Sequence, residues 1–548
     1  MIEITDKAHK FVQTFEPGLS LWEIYKQFSI GSKEEPPVLA MYNNELADLH
    51  MKAEVDGEVE WFSLRSKEGN LCYQRTLIFL MVRAVAELYP EGRLQVKHSL
   101  GKALYCELHL GKVLVAEDVE SIEYRMHELA DRQEPIKKIS VTREHIVDIC
   151  KANTADIEAR LLERLQNEKI MLYECGPVID YYFGPTLPHM GYMKYFMLKH
   201  YAPGFLLLYP TPESPYTIPP YEELPKFARV FLEAEEWGKI LRCQYAVELN
   251  DYIEQGEIQS IVDMAESLQE KKLGQIADTV VCQHPKIKVI LIAGPTSAGK
   301  TTICKRLITQ LRINNVQPVM ISLDNYFHEW QDTPRDKAGN YDFESFDAMD
   351  VKLLNEQLIA LNQGTPVYLP RFNFNDGSRY FDTVPTQLSE GQPIVLEGLH
   401  ALNDRLTYTL PRYEKFKIYL GVLTQIRLND RNRVSTTDIR LLRRMVRDSQ
   451  FRNRTAEETL QMWDSVREGE ELNIFPFQED ADVVFNTSMA YEVAVLKGYV
   501  EPLLHKIGKE NSHYHEVCRL LGVLQGFQVL ASEVVPHNSL LREFIGNN

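Results

Sequence analysis

Residues 291–302 read LIAGPTSAGKTT, and no other stretch restricts the fold as tightly. Gly294, Gly299, Lys300 and Thr301 satisfy the pattern G-x-x-x-x-G-K-[ST], set between the apolar run KVILIAG and a helix-compatible sequence. Such a chain must leave a strand, converge several backbone N–H groups on one point, and enter a helix at once. The glycines permit that convergence, and the helix N-terminus adds a dipole that favours an anion. Pro295, Thr296, Ser297, Ala298 and Thr302 complete the loop. Lys300 is placed to reach the β- and γ-phosphates of a nucleotide, and the Thr301 hydroxyl to coordinate Mg²⁺. The stretch reads as a nucleotide site.

The residues beyond the loop narrow the chemistry. After Pro285 the chain alternates strand-like and helical pieces: KVILIAG, VMISLD, PIVLEGLH, KIYLGV and DVVFNT, with helices between. That order predicts a parallel sheet flanked by helices. The chain carries no NKxD stretch after the loop, so nothing selects guanine and the expected nucleotide is ATP. Asp324 ends VMISLD at the carboxyl edge of the sheet, where a carboxylate can accept the proton of an attacking hydroxyl. N-capping the next helix is the other role for such an aspartate. In RLLRRMVRDSQFRNR, Arg440, Arg443, Arg444 and Arg447 share one helical face, and Arg452 and Arg454 come just after. Like charges so dense repel unless an anion sits among them, as in a lid over transferring phosphates; a solvated basic face is the alternative.

Together GPTSAGKTT, SLDNYF, NYDFESFD, PRFNF, VLEGLH and RRMVRDSQFRNRTAEE make residues 286–505 resemble the uridine kinase and phosphoribulokinase family of P-loop kinases. The resemblance implies that Asp324 is the general base and that Glu397 acts on Mg²⁺ through water. Arg444, Arg447, Arg452 and Arg454 are then the lid arginines, and Asp342 holds ribose hydroxyls. Tyr326, Phe372, Phe374 and His400 fall at acceptor positions. Buried structural carboxylates remain the other account of Glu397 and Asp342. The base pocket departs from the pattern: Phe372 stands where uridine kinases carry tyrosine, and Gly377 where they carry a base-contacting histidine. EGLH, with His400, is also similar to phosphoribulokinases, so a sugar-phosphate acceptor stays open beside a pyrimidine nucleoside.

The N-terminal part has another character. Residues 1–66, with SLWEI and VLAMYNNELADL, resemble the TGS module of threonyl-tRNA synthetases, a small β-grasp-like unit. Residues 70–222, with KHSLGKALYCEL and CGPVIDYYFGPTLPHMGYMKYFML, resemble the adjoining domain that hydrolyses mischarged tRNA, an α+β unit. That domain uses an HxxxH pair plus the Cys and His of CxGPH. Here His98 is kept, but Lys102, Tyr182 and Thr186 stand at the other three places, which implies a retained fold without the hydrolytic chemistry. Residues 1–220 hold 24 Lys+Arg against 32 Asp+Glu, and no clustered basic surface favours RNA.

The whole chain reads as a multidomain α/β and α+β protein: units at 1–66 and 70–222, a helical linker at 223–284 beyond a proline-rich stretch, the kinase-like unit at 285–505, and a helical extension at 506–548. Helical spacing is expected over 73–89 and 142–169. A net charge of −18 favours solubility and no general attraction to polyanions. Eight scattered cysteines without a CxxC pair fit reduced thiols in a cytoplasm. The apolar run LIFLMVRAVA is broken by Arg83 and too short to span a bilayer. The expected protein is a cytoplasmic ATP- and Mg²⁺-dependent kinase of a small hydroxyl substrate, without membrane, its homo-oligomerisation open. The competing class is an ATP-sensing regulatory or RNA-binding protein.

Overall fold

In the computed structural model, which describes residues 1–548 except 29–34, 143–144, 147–155, 166–168, 336–338, 340, 375, 425 and 548, the first unit is built by alternation. β1 (Ile2–Asp6) turns Ile2, Ile4 and Asp6 inward, as period-two side-chain geometry requires. β2 (Phe11–Phe15) comes next, and helix Leu21–Phe28 lays Leu21, Ile24 and Phe28 on the sheet. With β3 (Leu39–Tyr42), β4 (Glu45–Ala47) and β5 (Gly57–Phe62), the strand order is β2-β1-β5-β3-β4. Only β1 and β5 run parallel, which gives the expected β-grasp arrangement.

Ser66 caps the next helix, Lys67–Leu88, by accepting the Gly69 N–H at 3.0 Å. Behind it β6 (Arg93–Leu100), β7 (Ala103–His109), β11 (Met197–Tyr201) and β12 (Gly204–Leu208) form an antiparallel sheet of order β11-β12-β7-β6. A second sheet holds β8 (Lys137–Thr142), β9 (Lys169–Cys175) and β10 (Val178–Asp180). The helix expected over 142–169 is confined, as a named element, to Asp156–Arg164, because both ends of that span belong to β8 and β9. Much of the remainder lies outside the described residues.

The stretch expected as a helical linker is three helices, Pro225–Leu241, Ala246–Glu254 and Ile258–Gln283. It does more than connect. Leu273, Ile276, Ala277 and Val280 join one buried cluster with Ile290, Leu307 and Leu311 of the phosphate-loop unit. At about 1.5–3 kcal/mol per fully buried aliphatic side chain, these helices are part of that unit's core.

A fourth sheet positions the phosphate loop. β13 (Val289–Ala293), β14 (Val319–Ser322), β17 (Ile394–Glu397), β18 (Lys415–Gly421) and β19 (Val483–Asn486) are all parallel, in the order β14-β17-β13-β18-β19. These are the five pieces read from the sequence. Every residue of β13 is buried, as a central parallel strand covered on both faces should be. Register sets Ile292 and Ser322 beside Glu397, so the carboxyl ends of β13, β14 and β17 meet at one edge. A separate hairpin, β15 (Pro370–Asn373) and β16 (Ser378–Phe381), stands outside the sheet. Among the described residues no helix is long and apolar enough to cross a membrane, and the seven described cysteines are free.

The two halves are interlocked by the segment between β18 and helix Thr436–Phe451. The Asp430 carbonyl accepts the Val96 N–H at 2.8 Å, beside the irregularity that β6 carries between Val96 and His98. Asn432 Nδ2 donates to the Tyr181 carbonyl at 2.8 Å, and Arg433 Nη2 donates to Ser99 Oγ at 2.7 Å.

Candidate active site

The loop after β13 has the geometry its glycines predict. A Cβ on Gly294 would lie 2.7 Å from the Leu420 carbonyl of β18. Gly299 sits at φ +83° and Ser297 at φ +59°, left-handed values that turn successive N–H groups to one side. Helix Lys300–Ile313 starts there. Lys300 Nζ donates to the loop carbonyls of Gly294 at 2.9 Å and Pro295 at 3.2 Å. The Ser297 hydroxyl is buried without a partner.

Around the lysine stand the predicted carboxylates. Asp324 lies within a short 3₁₀ turn, Leu323–Tyr326, at the end of β14, where Ser322 holds the N-cap position. Its carboxylate is reachable by solvent yet set in a cleft walled by protein; that enclosure raises its pKa, with Lys300, Arg452 and Arg447 opposing. Glu397 is buried at the end of β17 and accepts the Ser322 hydroxyl at 2.7 Å. Burial raises its pKa and the charge of Asp324 adds to that. Lys300 is pushed the other way by burial and held up by Glu397 and Asp324. Two carboxylates and one ammonium leave room for another cation. Among the described residues no three His, Cys, Asp or Glu side chains are arranged to hold a metal. Mg²⁺ on a kinase needs one or two protein oxygens beside phosphate, and Thr301 and Glu397 fit that donor set.

The arginine helix, Thr436–Phe451, divides in two. Arg440 pairs with Glu470, and Arg443 Nε lies 2.7 Å from Glu492; all four side chains are buried. The expected anion among these two is therefore supplied by the protein, because an uncompensated guanidinium could not be buried there. Arg444, Arg447 and Arg452 differ. They share one buried carboxylate, Asp448, at 3.3, 3.7 and 3.4 Å. Three cations on one anion leave net positive charge. Burial, with Arg452 beside it, pushes Arg447 down to about 10, and its Nε has no hydrogen-bond partner. Arg454 N–H donates to the Asp448 carbonyl at 3.1 Å.

On the acceptor side the predicted residues separate. Asp342 Oδ1 accepts the Glu344 and Ser345 N–H groups, both at 3.1 Å, so it ties its own turn. Tyr326 is buried and its hydroxyl donates to Gln357 at 2.7 Å. Phe372 is buried against Phe327 and Phe374, with ring centroids at 5.9 and 4.9 Å, whereas Phe374 is 52% exposed. At Gly377, a Cβ would overlap the indole of Trp330, so a bulky ring from elsewhere fills the place of the missing side chain. His400 is buried with neither ring nitrogen in a close hydrogen bond; burial pushes its pKa down to about 4, with the Ser345 backbone opposing and Lys300 adding to the shift.

Glu344, which the sequence pattern does not mark, joins the cleft in the fold. Its Oε2 is buried without a partner, and burial, with Glu470 nearby, lifts its carboxyl to about 7 against Arg444 and Lys300. Ser297, Glu344, His400 and Arg447 thus all present buried polar atoms without a close hydrogen bond. Buried polar groups normally find partners, and such a set marks a cleft shaped for a polar ligand. The only sequence signal for Glu344 was its place in NYDFESFD.

Of the four residues set against the HxxxH and CxGPH places, His98 and Tyr182 are engaged inside the fold. His98 is buried, stacked on Phe231 with centroids 3.6 Å apart, and burial pushes its pKa down to about 3. Lys102 is exposed. The Tyr182 hydroxyl donates to Asp180 at 2.8 Å, and Thr186 is buried.

Comparisons with known proteins divide the chain in the same way. Residues 289–494 match the family model described as "Phosphoribulokinase / Uridine kinase family". Over 202 residues the chain is 29% identical to the uridine kinase of Deinococcus deserti, covering 37% of this chain and 88% of that protein. The N-terminal region is similar to threonine–tRNA ligases: 26% identity over 192 residues in Caldanaerobacter subterraneus and 29% over 195 residues in ligase 2 of Bacillus subtilis. The chain spans 30% of the length of each of these ligases. A solved structure of a possible uridine kinase from Bacillus stearothermophilus aligns at 20% identity and a TM-score of 0.25, covering 36% of this chain and 89% of that one.

Proposed function

We propose, from the premise that the C-terminal half belongs to the phosphoribulokinase/uridine kinase family, that this chain transfers the γ-phosphoryl group of ATP to the 5′-hydroxyl of a pyrimidine nucleoside. The observation that carries the reading is the meeting of Lys300, Asp324 and Glu397 at one sheet edge, with the under-neutralised Arg444–Arg447–Arg452 group within electrostatic reach.

In this reading the loop amides and Lys300 hold the phosphates of ATP. Asp324 takes the proton from the acceptor hydroxyl as oxygen attacks phosphorus; its raised pKa makes its carboxylate a stronger base than that of an exposed aspartate. Arg444 and Arg447 bring positive charge to the equatorial oxygens, where charge grows in the transition state. Thr301 and Glu397 would hold Mg²⁺, which would supply further charge neutralisation at the phosphates. Glu344 and His400 face the acceptor, the first able to accept hydroxyl protons, the second neutral. The N-terminal units serve as a scaffold without hydrolytic chemistry.

The test uses the full-length protein with Mg²⁺-ATP and a panel of uridine, cytidine, purine nucleosides, ribulose 5-phosphate and other sugars, read out by ADP release and product mass. Formation of a nucleoside 5′-monophosphate supports the reading. Phosphorylation of a sugar phosphate alone would move the acceptor, and ATP binding without any product would favour the sensing class.

A further inference from the structure

The C-terminal segment returns to the phosphate loop. Leu540 and Phe544 are fully buried, the Phe544 ring lies 5.1 Å from the guanidinium carbon of Arg443, and a Cβ on Gly299 would overlap Leu540. Arg542 anchors the turn through the carbonyls of Val535 at 2.6 Å, Ser532 at 3.1 Å and Gly546 at 3.1 Å. Glu543 is thereby aimed at the first turn of helix Lys300–Ile313. Its Oε2 accepts the Thr302 hydroxyl at 2.6 Å and the Thr302 N–H at 3.2 Å.

The amides of this first turn are where a loop of this kind cradles the α- and β-phosphates. We propose that Glu543 gates the donor site: its carboxylate competes with a nucleotide phosphate for Thr302, and nucleotide binding requires it to move aside. The inference rests on the nucleotide-site reading above but not on the identity of the acceptor. One N–H cannot serve two anions, and their like charges repel at that spacing. The charge of Glu543 is already felt in the cleft, where it raises the pKa of both Glu397 and Arg447. Glu470 and Glu492, by contrast, are committed to neutralising Arg440 and Arg443. Among the described contacts, both side-chain hydrogen bonds of Glu543 go to Thr302.

The experiment measures ADP, AMP and adenosine binding to the full-length protein by calorimetry, with no acceptor and no turnover. Glu543→Gln keeps the shape and removes the charge. Its Kd for ADP and AMP should fall about five- to tenfold, the scale of one charge-assisted hydrogen bond, with adenosine unchanged. An unchanged or raised Kd for ADP overturns the proposal, showing a helix cap or a nucleotide contact instead. As a second measurement, amide exchange over 540–546 in the unsubstituted protein should quicken on ADP binding; protection there would count against the gate. If ADP fails to bind the unsubstituted protein, the gate falls along with the donor site, whereas a wrong acceptor leaves this outcome untouched.

Discussion

Arg93 of β6 grips Asp430 with two hydrogen bonds, Nε to Oδ2 at 2.8 Å and Nη2 to Oδ1 at 3.1 Å, across the boundary between the N-terminal and C-terminal halves of the chain. Gln95 Nε2 at 2.9 Å and the Tyr245 hydroxyl at 2.6 Å donate to the same carboxylate. Together with Arg93 they hold its pKa below the usual range against burial, which pushes it upward.

Asp430→Ala should therefore destabilise the protein by about 1–3 kcal/mol, because it removes the shared acceptor of the buried Gln95 and Tyr245 donors and the partner of the half-exposed Arg93. The segment leads within a few residues to the arginine helix, so turnover should fall as well. Chemical denaturation and kcat measured together check this. A stable variant with full turnover would mean the junction is only contact surface.

Asp324→Asn keeps the shape and removes the proton acceptor. We expect kcat to drop at least about 10²-fold with a modest change in ATP binding. Near-normal turnover would sink the assignment of the base.

Glu344 predicts a pH effect near neutrality. Its folded pKa of about 7 lies above the ordinary 4.5, so only above pH 7 is it mostly ionised and able to accept from acceptor hydroxyls. The acceptor kcat/KM should rise through pH 7, and Glu344→Gln should flatten that rise, whereas Asp342→Asn should act mainly on stability. For folding the sign is opposite. Between pH 4.5 and 7 the folded state binds the extra proton, so this group's contribution to stability falls as pH rises. An identical pH profile in Glu344→Gln would remove Glu344 from the acceptor site.

His98 should make the protein acid-sensitive. Its folded pKa of about 3 lies below the ordinary 6.5, so below pH 6.5 the unfolded state takes up a proton that the folded state refuses. Stability is lost at up to about 1.4 kcal/mol per pH unit as pH falls from 6.5 toward 3. His98→Phe should reduce that slope in denaturant titrations at pH 7 and 5. An unchanged slope would show that His98 is not the source.

The N-terminal half should not deacylate aminoacyl-tRNA. His98 is stacked away against Phe231, Tyr182 is bonded to Asp180, and the position that would carry the second imidazole holds Lys102. Seryl- and threonyl-tRNA incubated with the full-length protein should hydrolyse at the buffer rate. Faster hydrolysis, lost in His98→Ala, would restore a catalytic role.

What depends on near neighbours along the chain is legible in the residues alone. The phosphate loop, Lys300 at its helix start, the five strands and the carboxylates at their ends come from spacing and alternation over a few residues, because strand and helix periodicities are local. Tertiary structure alone decided how charge is compensated. Arg440 and Arg443 look like Arg444 and Arg447 in a helical pattern, yet Glu470 and Glu492, 30 and 49 residues away, neutralise the first two. Asp342 and Glu344 are both acids of one motif. Only packing shows that the former is spent on its own turn while an oxygen of the latter is buried without a partner. Glu543 reaches Thr302 from 241 residues away, and Asp430 reaches Arg93 from 337. Burying a charge demands a partner wherever the fold can supply one, and no local pattern records where that partner will come from.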